Sequence, residues 1–237
     1  MKIKKNSYKS FISLLLIFII IPTTIYFGWK FSERQFYIVS LLIIIYATIP
    51  FFLMFENRKP QARELVVLAV MCVIAVTSRG AFIWIPHFKP MIAVIIIAGV
   101  ALGAEAGFLT GAITGFVSNF IFGQGIWTPW QMFAYGMAGF LGGFLYKKGL
   151  LSKRRIPLAI FGGLIVVTIV GPILDTCSLF TMTPIITKES VVAIYLSGLP
   201  INIIHATATV LTLLLISKPM FEKLDRIRLK YGMMEES

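Results

Sequence analysis

Residues 91–123, MIAVIIIAGVALGAEAGFLTGAITGFVSNFIFG, hold two apolar segments with almost no connection between them. The segments 91–103 and 105–123 meet around Leu102-Gly-Ala-Glu-Ala-Gly107, which predicts a tight pair of helices because backbone at membrane depth must stay helical. Glycine recurs every four residues along this stretch, at Gly99, Gly103, Gly107, Gly111 and Gly115. Small residues at this spacing let neighbouring helices approach closely. The stripe therefore predicts close packing between helices of this chain. The alternative is that it also contacts another membrane protein.

Further apolar segments on both sides of this pair indicate an integral membrane protein. The chain has 237 residues, of which 58% are hydrophobic and 14% charged, whereas soluble domains hold about 25% charged residues. We predict an all-α protein with eight spans, over residues 10–28, 36–56, 63–80, 91–103, 105–123, 130–147, 156–178 and 190–217. Proline inside a helix removes a backbone donor, so we expect kinks or local irregularity at Pro22, Pro50, Pro172 and Pro200.

The basic residues predict the orientation in the membrane. With the N-terminus in the cytoplasm, clusters within 2–9, 58–63, 147–155 and 218–230 lie inside. Only five basic residues then lie outside: Lys30, Arg34, Arg79, Lys89 and Lys188. This asymmetry follows the positive-inside rule, so the net charge of +12 indicates topology rather than nucleic-acid binding. We expect a multi-pass protein of the bacterial cytoplasmic membrane with both ends inside. No small-residue cleavage site follows the first apolar run, which we interpret as a retained helix.

The turn Phe122-Gly-Gln-Gly-Ile-Trp-Thr-Pro-Trp-Gln131 combines aromatic and amide side chains without any charge. The charge distribution places it outside. Aromatic faces beside amides suit an uncharged or partly apolar ligand at the membrane surface. Tryptophan also gathers at headgroup depth without any ligand, so an interfacial anchor is the alternative interpretation.

Catalytic chemistry finds little support in the sequence. It contains no HExxH, GxSxG, Walker A or paired-carboxylate motif. His87 lies in an outer loop and His205 in the last span, while the acids within spans, Glu105 and Asp175, have no evident acid/base partner. The cysteines, Cys72 and Cys177, lack metal-ligand spacing, so we expect neither a metal nor another cofactor.

Polar residues in the outer halves of the spans are the better lead, because such groups are costly in a membrane and tend to face a cavity or a partner. Most would lie beneath the outer loops, which predicts an outward-facing pocket lined by amides and aromatics. Instead of lining a pocket, the amides and His205 could form hydrogen bonds between helices. Asp175 could be a solvated residue at a helix end. The residues are Arg79, Asn119, Gln124, Gln131, Asp175, Asn202 and His205.

Several groups of residues between 62 and 147 form a more specific pattern. They are Arg63-Glu-Leu-Val66, Phe88-Lys-Pro90, Gly99-Val-Ala-Leu-Gly103 with Ala106-Gly-Phe-Leu-Thr-Gly111, and Ser118-Asn-Phe-Ile-Phe-Gly-Gln-Gly125 with Trp127-Thr-Pro-Trp-Gln-Met132. Together they resemble the S components of energy-coupling factor (ECF) transporters, which are substrate-binding membrane subunits. Residues 156–217 fit the last two helices of that fold by pattern only.

The resemblance implies a six-helix membrane core that captures a vitamin outside and docks on a membrane coupling subunit driven by two cytoplasmic ATPases. The subunit itself would hydrolyse nothing. We therefore expect an N-terminal helix pair at 1–60, which departs from the six-helix pattern, the core at 61–218 and a basic cytoplasmic tail at 219–237. Small residues of the family face the coupling subunit, which here implies Ala69, Ala75, Gly99, Gly103, Gly107 and Gly111, although Val73 interrupts an AxxxA pattern.

The Gly-Gln-Gly and Trp-Thr-Pro-Trp-Gln pattern resembles the subgroup that includes cobalamin transporters, so a cobalamin-type corrinoid is the substrate we expect. The residues predicted to bind it are Trp84, His87, Phe88, Lys89, Asn119, Gln124, Trp127, Trp130, Gln131, Asp175, Asn202 and His205. Three alternatives stay open: an S component for a different vitamin or precursor, a membrane enzyme that uses His205 and Asp175 on a lipid, and an assembly subunit without a ligand.

Overall fold

The computed structural model describes residues 36–57 and 61–231, together with part of the side chains of the first helix, and that part of the chain is helical without a strand. Eight α-helices follow one another in these ranges. They are α1 (Phe36–Asn57), α2 (Ala62–Ala81), α3 (Met91–Leu102), α4 (Ala104–Phe122), α5 (Thr128–Lys147), α6 (Arg155–Ile165), α7 (Gly171–Met182) and α8 (Lys188–Tyr231), with a π-helical segment, Val166–Val170, between α6 and α7.

Seven of the predicted segments overlap these helices, although the last helix continues to Tyr231, well beyond the predicted end at 217. Segment 156–178 is one continuous rod made of α6, the π-helical segment and α7, so residues 61–231 form six helical rods. Three of the described helices are long and apolar enough to cross a membrane by length and composition: Ala62–Ala81, Arg155–Met182 and Lys188–Tyr231. An all-α membrane protein is thereby confirmed, while the eight spans and the sides of the two termini stay predictions. The predicted span at 10–28 and Pro22 lie outside the described residues.

The expected irregularity occurs at Pro172 and has a local cause. Proline at this position has no N–H and its ring crowds the carbonyl of the preceding turn. The backbone responds one residue earlier, where the Gly171 N–H donates to the Val166 carbonyl five residues back, the pattern of a π-bulge. Pro200 and Pro219 lie inside α8 without interrupting it, and α1 likewise continues through Pro50.

Helix α3 is the centre of the fold. All twelve of its residues are buried, because α2, α4, α5 and α8 pack around it. A helix that is apolar on every side is stable only in such surroundings. At its end Gly103 has a φ of 100°, a backbone conformation that favours glycine, and this single residue separates α3 from α4. The tight pair predicted from the sequence is confirmed.

The glycine stripe packs inside the molecule. A Cβ at Gly99 would overlap the carbonyl oxygen of Gly139 on α5, and a Cβ at Gly111 would overlap the Tyr135 carbonyl. Gly107 meets Gly139 in the same way. Backbone-to-backbone packing this close is what small residues permit between membrane helices.

The residues expected to contact a coupling subunit differ in their exposure. Gly99, Gly107 and Gly111 are buried under α5, and Ala75 is 0% exposed in the core. Gly103 is half-buried, whereas Ala69 is exposed on α2. Contact of these six residues with a coupling subunit stays a prediction, which the exposure of Ala69 favours most.

One end of the bundle gathers the segments that the charge pattern assigned to the cytoplasm. Arg63 at the start of α2 donates to the Tyr231 carbonyl at 2.9 Å, and Lys153 pairs with Asp225 at 2.8 Å. The predicted tail boundary at 218–219 falls inside α8, which continues as a helix to Tyr231.

A cavity of about 460 Å³ lies at this basic end, lined by Arg63, Val66, Val67, Ile227 and Tyr231. The Trp-rich turn lies at the opposite end, which we call the loop end.

Candidate functional site

The turn between α4 and α5 is built by its own side chains. Gly123, with a φ of 98°, ends α4, and the Trp127 indole Nε1 donates to its carbonyl at 3.3 Å. The Trp127 ring lies over Gly125, where a Cβ would collide with it. Thr128 accepts from the Gly125 N–H at 3.2 Å and donates to Gln124 Oε1 at 2.9 Å. These contacts hold Trp127 at the surface with 43% of its area exposed.

Beneath this turn, Asn119 is the hub of a buried hydrogen-bond network. Its Nδ2 donates to Thr128 Oγ1 at 3.0 Å and to Gln131 Oε1 at 2.9 Å, while its Oδ1 accepts from Arg79 Nη1 at 3.0 Å. Asn119 is only 1% exposed. We call Asn119, Gln124, Thr128 and Gln131 the amide network; it ties the end of α4 to the start of α5.

Basic side chains from three elements meet beside the amide network. Arg79, near the end of α2, has its Cζ 4.3 Å from the centroid of the Phe122 ring, and Lys89 in loop 82–90 has its Nζ 5.4 Å from the same centroid. The rings of His87 and His205 have centroids 6.2 Å apart, and the charges of Lys89 and Arg79 act on His205. We call Arg79, His87, Lys89 and His205 the basic cluster.

The surroundings of the basic cluster disfavour positive charge. Burial, and then the charge of Arg79, lowers the pKa of Lys89 from 10.5 to about 8. His87 has a φ of 60°, a left-handed conformation that is uncommon for a residue other than glycine. Arg79 also donates to Ser118 Oγ.

The remaining predicted residues lie apart from these two groups. Trp84 is 91% exposed at the tip of loop 82–90, and Phe88 packs on Phe82 with ring centroids 5.1 Å apart. Trp130 is buried with Ile44 and Cys177, which makes it a packing residue here; its contact with a substrate stays a prediction.

Asp175 and Asn202 form a separate contact between α7 and α8. Asn202 Nδ2 donates to Asp175 Oδ2 at 2.8 Å, and the pair is seated where Gly171 and Gly198 leave room for it. Asp175 is therefore bonded to Asn202 and not to His205, so the acid/base pair that the enzyme alternative needs is not formed among the described residues.

The structure thus brings together Asn119, Gln124 and Gln131 with Arg79, all predicted for the outer pocket, and adds Thr128 and Phe122, which were not singled out in the sequence. Arg79 was recognised as a polar residue in a span, but its partners come from a helix forty positions along the chain. Thr128 and Phe122 gave no separate signal, because a threonine and a phenylalanine at helix ends are common. In chemical terms the site offers amide and hydroxyl groups, an exposed indole and a positively charged interior. Among the described residues no group of three His, Cys, Asp or Glu side chains could hold a metal.

Comparison with known protein families agrees with the resemblance seen in the sequence. The model of the family described as "ECF-type riboflavin transporter, S component" matches residues 59–221, which includes α2 to α7 and most of α8. No curated protein and no solved structure matches the chain. The matching description names riboflavin, so the cobalamin-type subgroup expected from the sequence finds no support in the comparison.

Proposed function

The chain belongs to the family of ECF transporter S components, and on that premise we propose that it captures a flavin at the loop end of the bundle. S components are substrate-binding transport subunits rather than enzymes, and the family implies association with a coupling subunit and ATPases. We infer that this chain delivers its substrate by docking on those partners. A flavin is chosen over a corrinoid because the matched family is described as riboflavin-type.

The observation that supports this proposal is the amide network beneath the Trp127 turn. A flavin has a planar aromatic ring with an imide edge, and the ribityl chain of riboflavin carries hydroxyl groups. The indole of Trp127 is exposed and suits contact with such a ring. Gln131 and Asn119 offer both donors and acceptors for the polar groups. Because Asn119 is 1% exposed, the substrate would reach it only when loop 82–90 or the turn moves aside.

Substitutions in the turn separate a substrate contact from an interfacial anchor. We expect Trp127→Phe and Gln131→Ala each to weaken riboflavin binding about three- to tenfold, since each removes contact area or a hydrogen bond worth about 1 kcal/mol. Binding is measured by quenching of flavin fluorescence with the purified protein in nanodiscs, and uptake is measured in cells that express the coupling module.

The matched control is Ile126→Ala, which removes a side chain 41% exposed from the same turn and should leave binding within twofold. A membrane anchor would tolerate Trp127→Phe and Gln131→Ala as well as Ile126→Ala. Equal riboflavin affinity in all three variants would therefore exclude the turn from the binding site. Cobalamin is titrated in parallel, and binding of cobalamin without riboflavin would replace the flavin with a corrinoid.

A further inference from the structure

The basic cluster contains polar atoms that the protein leaves without partners. Arg79 is 3% exposed and its Nε has no hydrogen-bond partner among the described residues, although its Nη1 has two. His205 is 9% exposed and its Nε2 is likewise unpartnered there. Buried polar atoms in native proteins are nearly always paired. These two therefore indicate that a group outside the described chain completes the site.

The cluster also lacks a negative charge. The ion pairs Lys153–Asp225 and Lys218–Glu222 both lie at the basic end, far from this cluster. No carboxylate in residues 36–57 and 61–231 pairs with Arg79 or Lys89. The nearby partners are neutral: Ser118, Asn119 and the face of the Phe122 ring. A buried cation without a counter-charge is costly, and a charge inside a membrane protein generally faces a partner or a pathway.

We propose that the substrate presents an anionic group, a carboxylate or a phosphate, to Arg79 and Lys89. This inference rests on the proposed function, because it assigns one part of the substrate to the loop end. Arg79 offers the unpartnered Nε–H of its guanidinium, a planar group suited to oxyanions. Lys89 adds a mobile ammonium from the loop, and His205 adds a ring nitrogen from α8. An anion here would supply the missing charge and the missing acceptor together.

A comparison of two flavins tests the proposal. We compare riboflavin with riboflavin 5′-phosphate, which differs only by the phosphate, in nanodiscs of neutral phosphatidylcholine. The phosphorylated flavin should bind at least about tenfold more tightly, because hydrogen bonds to charged groups are the strong ones. Lys89→Gln should lower the ratio of the two affinities about threefold or more, and the remaining preference is due to Arg79. Lys89 is preferred over Arg79 for substitution, since Arg79 is part of the packed core.

The control variant is Lys188→Gln, which removes an exposed charge from the start of α8 without touching the cluster, so its affinity ratio should equal that of the unsubstituted protein. Equal affinities of both flavins in the unsubstituted protein would overturn the proposal. Nanodiscs with added phosphatidylglycerol distinguish the source of the anion. If the preference for the phosphorylated flavin disappears in nanodiscs with phosphatidylglycerol, the anion at the basic cluster is a lipid headgroup and not a group of the substrate.

Inorganic phosphate separates failure of the inference from failure of the flavin proposal. If neither flavin binds, the flavin proposal fails, and the thermal midpoint is then compared in sodium phosphate and in sodium chloride of equal ionic strength. Stabilisation by phosphate that Lys89→Gln reduces and Lys188→Gln retains in full would uphold an anion site for another substrate. An equal midpoint in both salts would reject the anion site.

The pH dependence of binding gives a second test. Near Lys89 the charged and titratable groups are Arg79 from α2 and His205 from α8, with His87 of the same loop against His205, and α4 contributes the Phe122 ring. A bound anion raises the pKa of Lys89 above its free value of about 8. Affinity for the phosphorylated flavin is therefore complete below pH 8 and falls as the pH rises through the pKa of the complex.

Titrations between pH 7.5 and about 9.5 measure this loss, because a phosphate monoester is doubly ionised throughout that range. Riboflavin measured in parallel corrects for any general effect of pH on the protein. If the affinity of the unsubstituted protein for the phosphorylated flavin does not change with pH, contact with Lys89 is contradicted. It is also contradicted if the affinity of Lys89→Gln falls with pH as steeply as that of the unsubstituted protein. The experiment that decides the proposal is thus the affinity ratio of the two flavins, measured in these variants across this pH range.

Discussion

The Gly139→Ala variant is expected to lose about 3 kcal/mol or more of unfolding free energy, although it adds only one methyl group. The new Cβ would overlap the Gly107 carbonyl oxygen and approach Ile95 Cγ2 at 2.9 Å. Overpacking typically costs about 1–3 kcal/mol when flexible side chains can yield. Here the obstacle is backbone, so α5 must move away from α4 and α3 as a rigid body.

The matched control is Gly80→Ala, because a Cβ at Gly80 meets nothing within 4 Å. Alanine is the better helix former by about 1 kcal/mol, so this variant should be equally stable or slightly more stable. Both proteins are heated in detergent and the folded fraction is followed by size-exclusion chromatography. Equal midpoints for the two variants would contradict the close crossing of α5 with α3 and α4.

The sequence predicts the positions of the helices but not the crossing of α5 with α3 and α4. Helix positions follow from hydropathy and turn residues alone, since any apolar run of sufficient length must form hydrogen bonds within itself in lipid. The bounds of α3 and α4 therefore agree with the predicted segments within one residue. A glycine stripe predicts that some helix approaches, but only the fold identifies α5 as that helix. From the sequence alone the same stripe could also face a coupling subunit, and only the structure places Gly139 against it.

In the candidate site, too, contacts within one short segment can be predicted from the sequence, whereas contacts between distant helices cannot. Asn119, Gln124 and Gln131 could be grouped from the sequence because one short turn connects them. Arg79 and Lys89 lie on other elements, and their approach to Phe122 depends on how α2 packs on α4. Trp130 is buried with Ile44 and Cys177, whereas Trp127 lies just before α5 and is held at the surface by its contacts with Gly123 and Gly125. Which of two neighbouring tryptophans is buried depends on these tertiary contacts, so the sequence alone does not separate them.

The second large effect is expected at Asn119, where leucine has a similar volume but no polar group. Asn119→Leu removes an acceptor from Arg79 and two donors, one to Thr128 and one to Gln131. Removing one partner from a buried charge costs about 3–5 kcal/mol when no other partner remains. Ser118 still accepts from Arg79, so we expect a loss of about 3 kcal/mol, measured as the free energy of unfolding in detergent mixtures.

Asn202→Leu is the matched control, because Asn202 is another buried amide but makes one side-chain hydrogen bond, to Asp175. It should cost only about 1 kcal/mol. Adding Arg79→Met to Asn119→Leu should cost clearly less than the sum of the two single changes, since the charge that needed Asn119 is then absent. Adding Arg79→Met to Asn202→Leu should be additive. If both pairs are additive, Asn119 and Arg79 are not energetically coupled, and the guanidinium must find its compensation outside the amide network.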